Sequence, residues 1–145
     1  MKDCLLTIVL PSYNIQDYLS KGIQSFQQVD SKYKEKFEVL IVNDGSTDDT
    51  EKVAEEVLGK DPLLNGRVIT KENGGHGSTI NRGIQEAKGK FFKVIDGDDW
   101  VIPSEFENFL DSLETTDAEM IITDFTEQHV YNSTAIRNDF IDKYE

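Results

Sequence analysis

Two apolar runs, Leu5-Leu6-Thr7-Ile8-Val9-Leu10 and Phe37 to Val42, constrain the fold of this chain more than any other feature. A strand with one wet face alternates apolar and polar residues, whereas a continuous run belongs to a strand covered on both faces, as in a parallel sheet flanked by helices. Each run leads through a polar turn into a segment with helical periodicity. After the first come Pro11-Ser12-Tyr13-Asn14 and then Ile15, Tyr18, Leu19, Gly22, Ile23 and Phe26, with Asn14 and Asp17 placed as an N-cap and its partner. After the second come Asn43 to Thr50 and then Val53, Ala54, Val57 and Leu58.

The unit repeats. Val68 to Thr70 reads as a short third strand, and Ile80, Ile84 and Ala87 trace a helix face that Gly89 ends. Phe91 to Ile95 reads as a buried fourth strand, aromatic and β-branched. Ser104 and Glu107 offer a capping box for a helix with Phe106, Phe109, Leu110 and Leu113 on its inner face. Met120 to Phe125 has the composition of a fifth strand, and the tail beyond it has no clear periodicity. Alternating strands and helices predict an α/β fold, a mainly parallel sheet with helices on both faces, in a single domain over residues 1–145. In such sheets ligands gather at the carboxyl ends of the strands.

Charge narrows the partners. With 28 acidic and 15 basic residues the net charge is -13, which argues against a nucleic-acid surface built on clustered Lys and Arg. No apolar run is long enough to span a bilayer, and the N-terminus lacks a signal peptide's pattern. Cys4 is the single cysteine, consistent with a reducing compartment, so a cytoplasmic location is expected.

The chemistry lies in the loops after the strands. Asp96-Gly97-Asp98-Asp99 puts acids close together at a strand end, where repulsion favours a bridging hard cation such as Mg²⁺, with phosphate as the natural co-ligand; the alternative is a hydrated Asp-Gly turn. Asp44 ends the second strand, placed to accept from a base edge or a ribose hydroxyl, or to cap a helix with Ser46 and Thr47. Tyr13 is suited to stacking on a base or to packing. Lys71 brings positive charge near phosphates or is merely solvated. Gly74, Gly75 and Gly77 either present N–H groups to an anion or form a turn, and His76 among them either touches a phosphate or substrate hydroxyl or is a loop residue. Ser12, Asp44, the glycine loop and Asp96 to Asp99 are expected to share one crevice.

These residues resemble the family-2 inverting glycosyltransferases of the GT-A fold. The resemblance is carried by Ile8-Val9-Leu10-Pro11-Ser12-Tyr13-Asn14, by Val42 to Thr50, by Asn73-Gly74-Gly75 through Asn81-Arg82-Gly83 to Gly89, and by Asp96-Gly97-Asp98-Asp99. It implies a Rossmann-like nucleotide-diphospho-sugar fold in which Pro11, Ser12, Tyr13, Asp44, Lys71, Asp96, Gly97 and Asp98 bind the nucleotide. Asp96 and Asp98 would hold Mg²⁺ or Mn²⁺, and Asp99 would face the donor sugar. Asn43 departs from the family's usual acid at that position. The resemblance covers roughly residues 4–125, the donor half of a catalytic domain, so the catalytic base is expected beyond Glu145. Implied partners are a nucleotide-diphosphate sugar, commonly with uracil as its base, and a glycan or lipid-linked acceptor, in bacterial surface-glycan synthesis at or near the inner membrane face.

Two other classes compete. A non-catalytic sugar-nucleotide-binding module would share the donor motifs. A dinucleotide-dependent oxidoreductase is suggested by Gly75-His76-Gly77 between strand and helix, though Ile80 stands where the third glycine belongs.

Overall fold

The computed structural model describes residues 4–121, 123, 125–129 and 134–138. The chain forms two compact units, Met1–Thr115 and Thr116–Glu145. The first is built on β1 (Leu6–Ser12), β2 (Phe37–Asp44), β3 (Gly66–Lys71) and β4 (Phe91–Val94), all parallel, in the order β3-β2-β1-β4. Between them run α1 (Leu19–Gln27), α2 (Thr50–Gly59) and α3 (His76–Glu86), and α4 (Pro103–Thr115) follows β4. Every residue of β1 and β2 is buried, as continuous apolar runs require.

Both faces of the sheet are covered. On one, Phe37 of β2 meets Phe26 of α1 and Phe106 of α4, with ring centroids 5.0 to 6.0 Å apart. Truncating a fully buried phenylalanine such as Phe26 would cost about 3–5 kcal/mol. On the other face Val9, Leu40, Val42 and Ile69 cluster, and α3 packs so closely that a Cβ on Gly83 would lie 2.5 Å from Val9 Cγ2. At the far end of the strands Glu38 is buried, taking hydrogen bonds from the Thr7 hydroxyl and the Lys88 N–H, both 2.7 Å.

Several local expectations are corrected. Asn14 does not cap α1, which begins at Leu19; its side chain instead accepts from the Thr47 and Asp48 N–H groups, at 2.8 and 3.4 Å, and so joins the loop after β1 to the loop after β2. The inner face of α3 is Thr79 and Gly83 rather than Ile84, which is 57 % exposed. Glu107 closes no capping box: α4 starts at Pro103, which has no N–H to satisfy, and the Glu107 carboxylate accepts the Asp30 N–H at 2.9 Å. β4 is the outer strand of this sheet, not a fully covered one, with Phe92 36 % exposed.

The second unit contains an antiparallel pair, β5 (Phe125–His129) and β6 (Thr134–Asn138), in a register from Phe125↔Asn138 to His129↔Thr134. The expected strand over Met120 to Phe125 is displaced, because Met120, Ile121 and Thr123 are not in a strand and pairing begins only at Phe125; Ile122 and Asp124 lie outside the described residues. β6 falls in the tail where periodicity gave no signal.

Candidate active site

The loops after β1, β2, β3 and β4 line one open cleft of about 620 Å³ at the carboxyl edge of the sheet. Its walls include Pro11, Ser12, Tyr13, Asp44, His76, Asp96, Gly97 and Asp98. Of the groups expected to share one crevice, Ser12, Asp44, Gly75 of the glycine loop and Asp96 to Asp98 line this cleft, whereas Gly74, Gly77, Asp99 and also Lys71 stand outside the lining.

Lys71 acts from behind. Its ammonium donates to Asp44 Oδ1 at 3.0 Å, to the Glu72 carbonyl at 2.6 Å and to the Ser78 hydroxyl at 2.8 Å, so its three N–H bonds are engaged. Asp44 is almost wholly buried and also accepts from the Gly74 N–H at 2.9 Å and the Gly75 N–H at 3.0 Å, Gly75 having a positive φ of 91°. Burial alone pushes this carboxyl up; the Gly74 N–H, the Lys71 ammonium and the Gly75 N–H outweigh it and hold it below the usual range. The anion served by the glycine N–H groups is thus Asp44 itself, and neither Ser46 nor Thr47 is its partner. Asn43, where an acid was expected, instead braces the turn: its Oδ1 accepts the Ser46 N–H at 3.2 Å and its amide donates to Thr70 Oγ1 at 3.3 Å.

The acidic turn is fastened from two sides. Toward β1, the Ile95 N–H donates to the Val9 carbonyl at 2.9 Å and the Gly97 N–H to the Pro11 carbonyl at 3.1 Å. Gly97 is buried so tightly that a Cβ would stand 2.5 Å from Ile15 Cδ1 and 2.7 Å from Ser12 Oγ. Toward α1, a Cβ on Gly22 would stand 2.5 Å from the Asp99 carbonyl oxygen, and Ser25 Oγ accepts the Val101 N–H at 3.1 Å. Lys21 lies 3.7 Å above the Trp100 ring. Sequence reasoning passed over Gly22 and Ser25, counting one as a helix-face residue and the other not at all.

Asp96, Asp98 and Asp99 each offer a carboxylate oxygen, and these lie within 4.8 Å of one another. Burial, then the charges of Asp98 and Asp96, push Asp99 above the ordinary carboxylate range. Three hard oxygen donors that repel one another fit Mg²⁺ or Mn²⁺, and no soft ligand is among them.

This fold and cleft define a class: an α/β domain that collects acids and a glycine loop at a parallel-sheet edge. The chain belongs to Glycosyl transferase family 2, which it matches over residues 7–140. It is 30% identical over 124 residues to glycosyltransferase EpsJ of Bacillus subtilis, covering 86% of this chain and 35% of that protein. Among solved structures it is similar to TarS of S. aureus in complex with UDP-GlcNAc, with 28% identity, a TM-score of 0.68, and 76% of this chain and 31% of that one covered. It shares the fold of mannosyltransferase PcManGT from Pyrobaculum calidifontis in complex with GDP-Man and Mn²⁺, at 19% identity and a TM-score of 0.66 over 76% of this chain and 32% of that one. The chain thus spans about a third of the length of the proteins it matches. The expected family and GT-A fold are borne out, and of the Gly75-His76-Gly77 motif behind the oxidoreductase reading the Gly75 N–H is turned onto Asp44.

Proposed function

We propose that residues 1–145 are the donor-nucleotide-binding half of a glycosyltransferase catalytic domain that uses a nucleotide-diphosphate sugar, with uridine diphosphate as the leaving group. The observation that carries this is the single cleft joining Asp44 to Asp96 and Asp98, together with the likeness to TarS in complex with UDP-GlcNAc. The uracil edge is read at the Asp44 corner, with Tyr13, Pro11 and Ser12 along the nucleoside, and the diphosphate lies toward Asp96, Gly97 and Asp98. Asp99 faces the donor sugar. Asp96 and Asp98 hold the divalent cation, Mg²⁺ or Mn²⁺, whose chemical contribution when bound is to neutralise charge on the departing diphosphate.

In transfer, an acceptor hydroxyl oxygen bonds to the anomeric carbon from the side opposite the diphosphate, inverting that centre. The bond to the diphosphate oxygen breaks with its electron pair, and the acceptor proton passes to a base outside residues 1–145. The role of this part is to bind and orient the donor. The acceptor is a glycan or lipid-linked hydroxyl in bacterial surface-glycan synthesis, acted on in the cytoplasm or at the inner membrane face; among the described residues no helix is long and apolar enough to cross a membrane.

Titration calorimetry tests the reading. Uridine diphosphate is expected to bind with Mn²⁺ present and to bind at least tenfold more weakly to Asp98→Ala. Absence of binding, or equal binding by the variant, overturns it.

A further inference from the structure

The cleft poses a problem of charge. Asp44, Asp96 and Asp98 line it, yet the proposed ligand is a diphosphate, and the nearby ammonium of Lys71 is wholly engaged behind Asp44. The hydroxyls of Ser12 and Thr79 and one amide hydrogen of Asn73 are engaged as well. Ser12 Oγ donates to the Leu10 carbonyl at 3.0 Å, Thr79 Oγ1 to the His76 carbonyl at 2.5 Å, and Asn73 Nδ2 to the Asp44 carbonyl at 3.0 Å. Among the described lining residues, the side chains whose N–H or O–H has no protein acceptor at all are Tyr13, half exposed at the mouth, and His76.

His76 is the first residue of α3, held in place rather than loose. Gly74 and Gly75 before it are fixed on Asp44, and the Ser78 N–H and hydroxyl after it close on the Gly75 carbonyl, at 3.1 and 2.6 Å. Farther along, α3 rests on Val9 of β1 through Gly83. Its first side chain, His76, is exposed and lines the same cleft as Asp44, Asp96 and Asp98.

From this geometry we infer that His76 is the side chain of the cleft that hydrogen-bonds the donor's diphosphate, supplying from the start of α3 an N–H that has no acceptor in the protein. The inference rests on the donor-binding reading above and adds to it a named contact. An imidazole N–H is a donor in either tautomer and a phosphate oxygen is an acceptor only, so the pair is matched. A hydrogen bond to a charged oxygen is among the stronger ones, so its loss changes affinity by about tenfold.

The test compares ligands with and without phosphates, in Mn²⁺, on the full chain and on His76→Ala and His76→Arg. Uridine diphosphate is measured by calorimetry and uridine by ligand-observed NMR. His76→Ala is expected to bind uridine diphosphate about tenfold more weakly and uridine within twofold of the parent, with His76→Arg recovering most of the loss because it restores a donor. Unchanged diphosphate affinity in His76→Ala overturns the contact, and an equal loss for both ligands overturns it by placing His76 at the nucleoside. Failure of the parent chain to bind uridine diphosphate is a different result, which removes the donor-binding reading itself.

Discussion

Asp44 is a buried carboxylate that owes its charge to residues 27 to 31 positions away: Lys71, Gly74 and Gly75. Because its folded pKa is depressed, it contributes stability that is present above the unfolded value near 4 and is lost as pH falls through the folded one. Lys71→Met leaves that charge with two N–H donors and no cation. The variant should lose about 3 kcal/mol at pH 7, and the gap to the parent should narrow at pH 3, measured by denaturant unfolding at both values. An equal gap at both would contradict the coupling. Asp99 behaves with the opposite sign, since its pKa is raised and the ionised form is disfavoured in the fold. Asp99→Asn should therefore melt at a higher temperature than the parent at pH 7 without metal, and the gain should vanish near pH 3, where the parent's carboxyl is protonated. The importance of both acids was legible from their places after strands. Their partners were not, because only the fold brings a lysine and two glycine N–H groups onto Asp44.

At the level of elements, β1 and β2 announced themselves because a strand buried on both faces has no polar alternation to confuse it. The helix faces were less legible. Apolar spacing pointed to Ile84 on α3, yet close packing of a helix on a strand selects the smallest residue, so Gly83 is the one that meets Val9. Composition alone misplaced the strand near Met120, since a β-rich sequence becomes a strand only where a partner pairs with it. Gly22 and Gly97 follow the same rule as Gly83, because each lets backbone or a neighbouring side chain approach the acidic turn. Gly97→Ala should force the turn off the end of β1, costing about 1–3 kcal/mol in stability and at least tenfold in Mn²⁺-supported uridine diphosphate affinity. Calorimetry with and without Mn²⁺ checks this: if the turn is displaced, the metal-dependent increment is lost while the weaker metal-free binding persists.

For the molecule as a whole, a net charge of -13 and an anionic ligand are compatible only if cations are placed locally. On the proposed reading a divalent ion at Asp96 and Asp98 would supply that charge, while Lys71 offsets Asp44 from behind and His76 offers an N–H on the cleft wall. The sequence order of the four loops made their meeting at one edge predictable from topology alone. The engagement of Lys71, Asn73 and the Asp44 carboxylate was invisible, because it depends on contacts between loops distant in the chain. The most direct test is a crystal structure of the chain soaked with uridine diphosphate and Mn²⁺, read by anomalous scattering. The predicted result is a manganese peak bound by Asp96 and Asp98 and the diphosphate, with the uracil against Asp44. A nucleotide bound elsewhere, or manganese away from these acids, would contradict it.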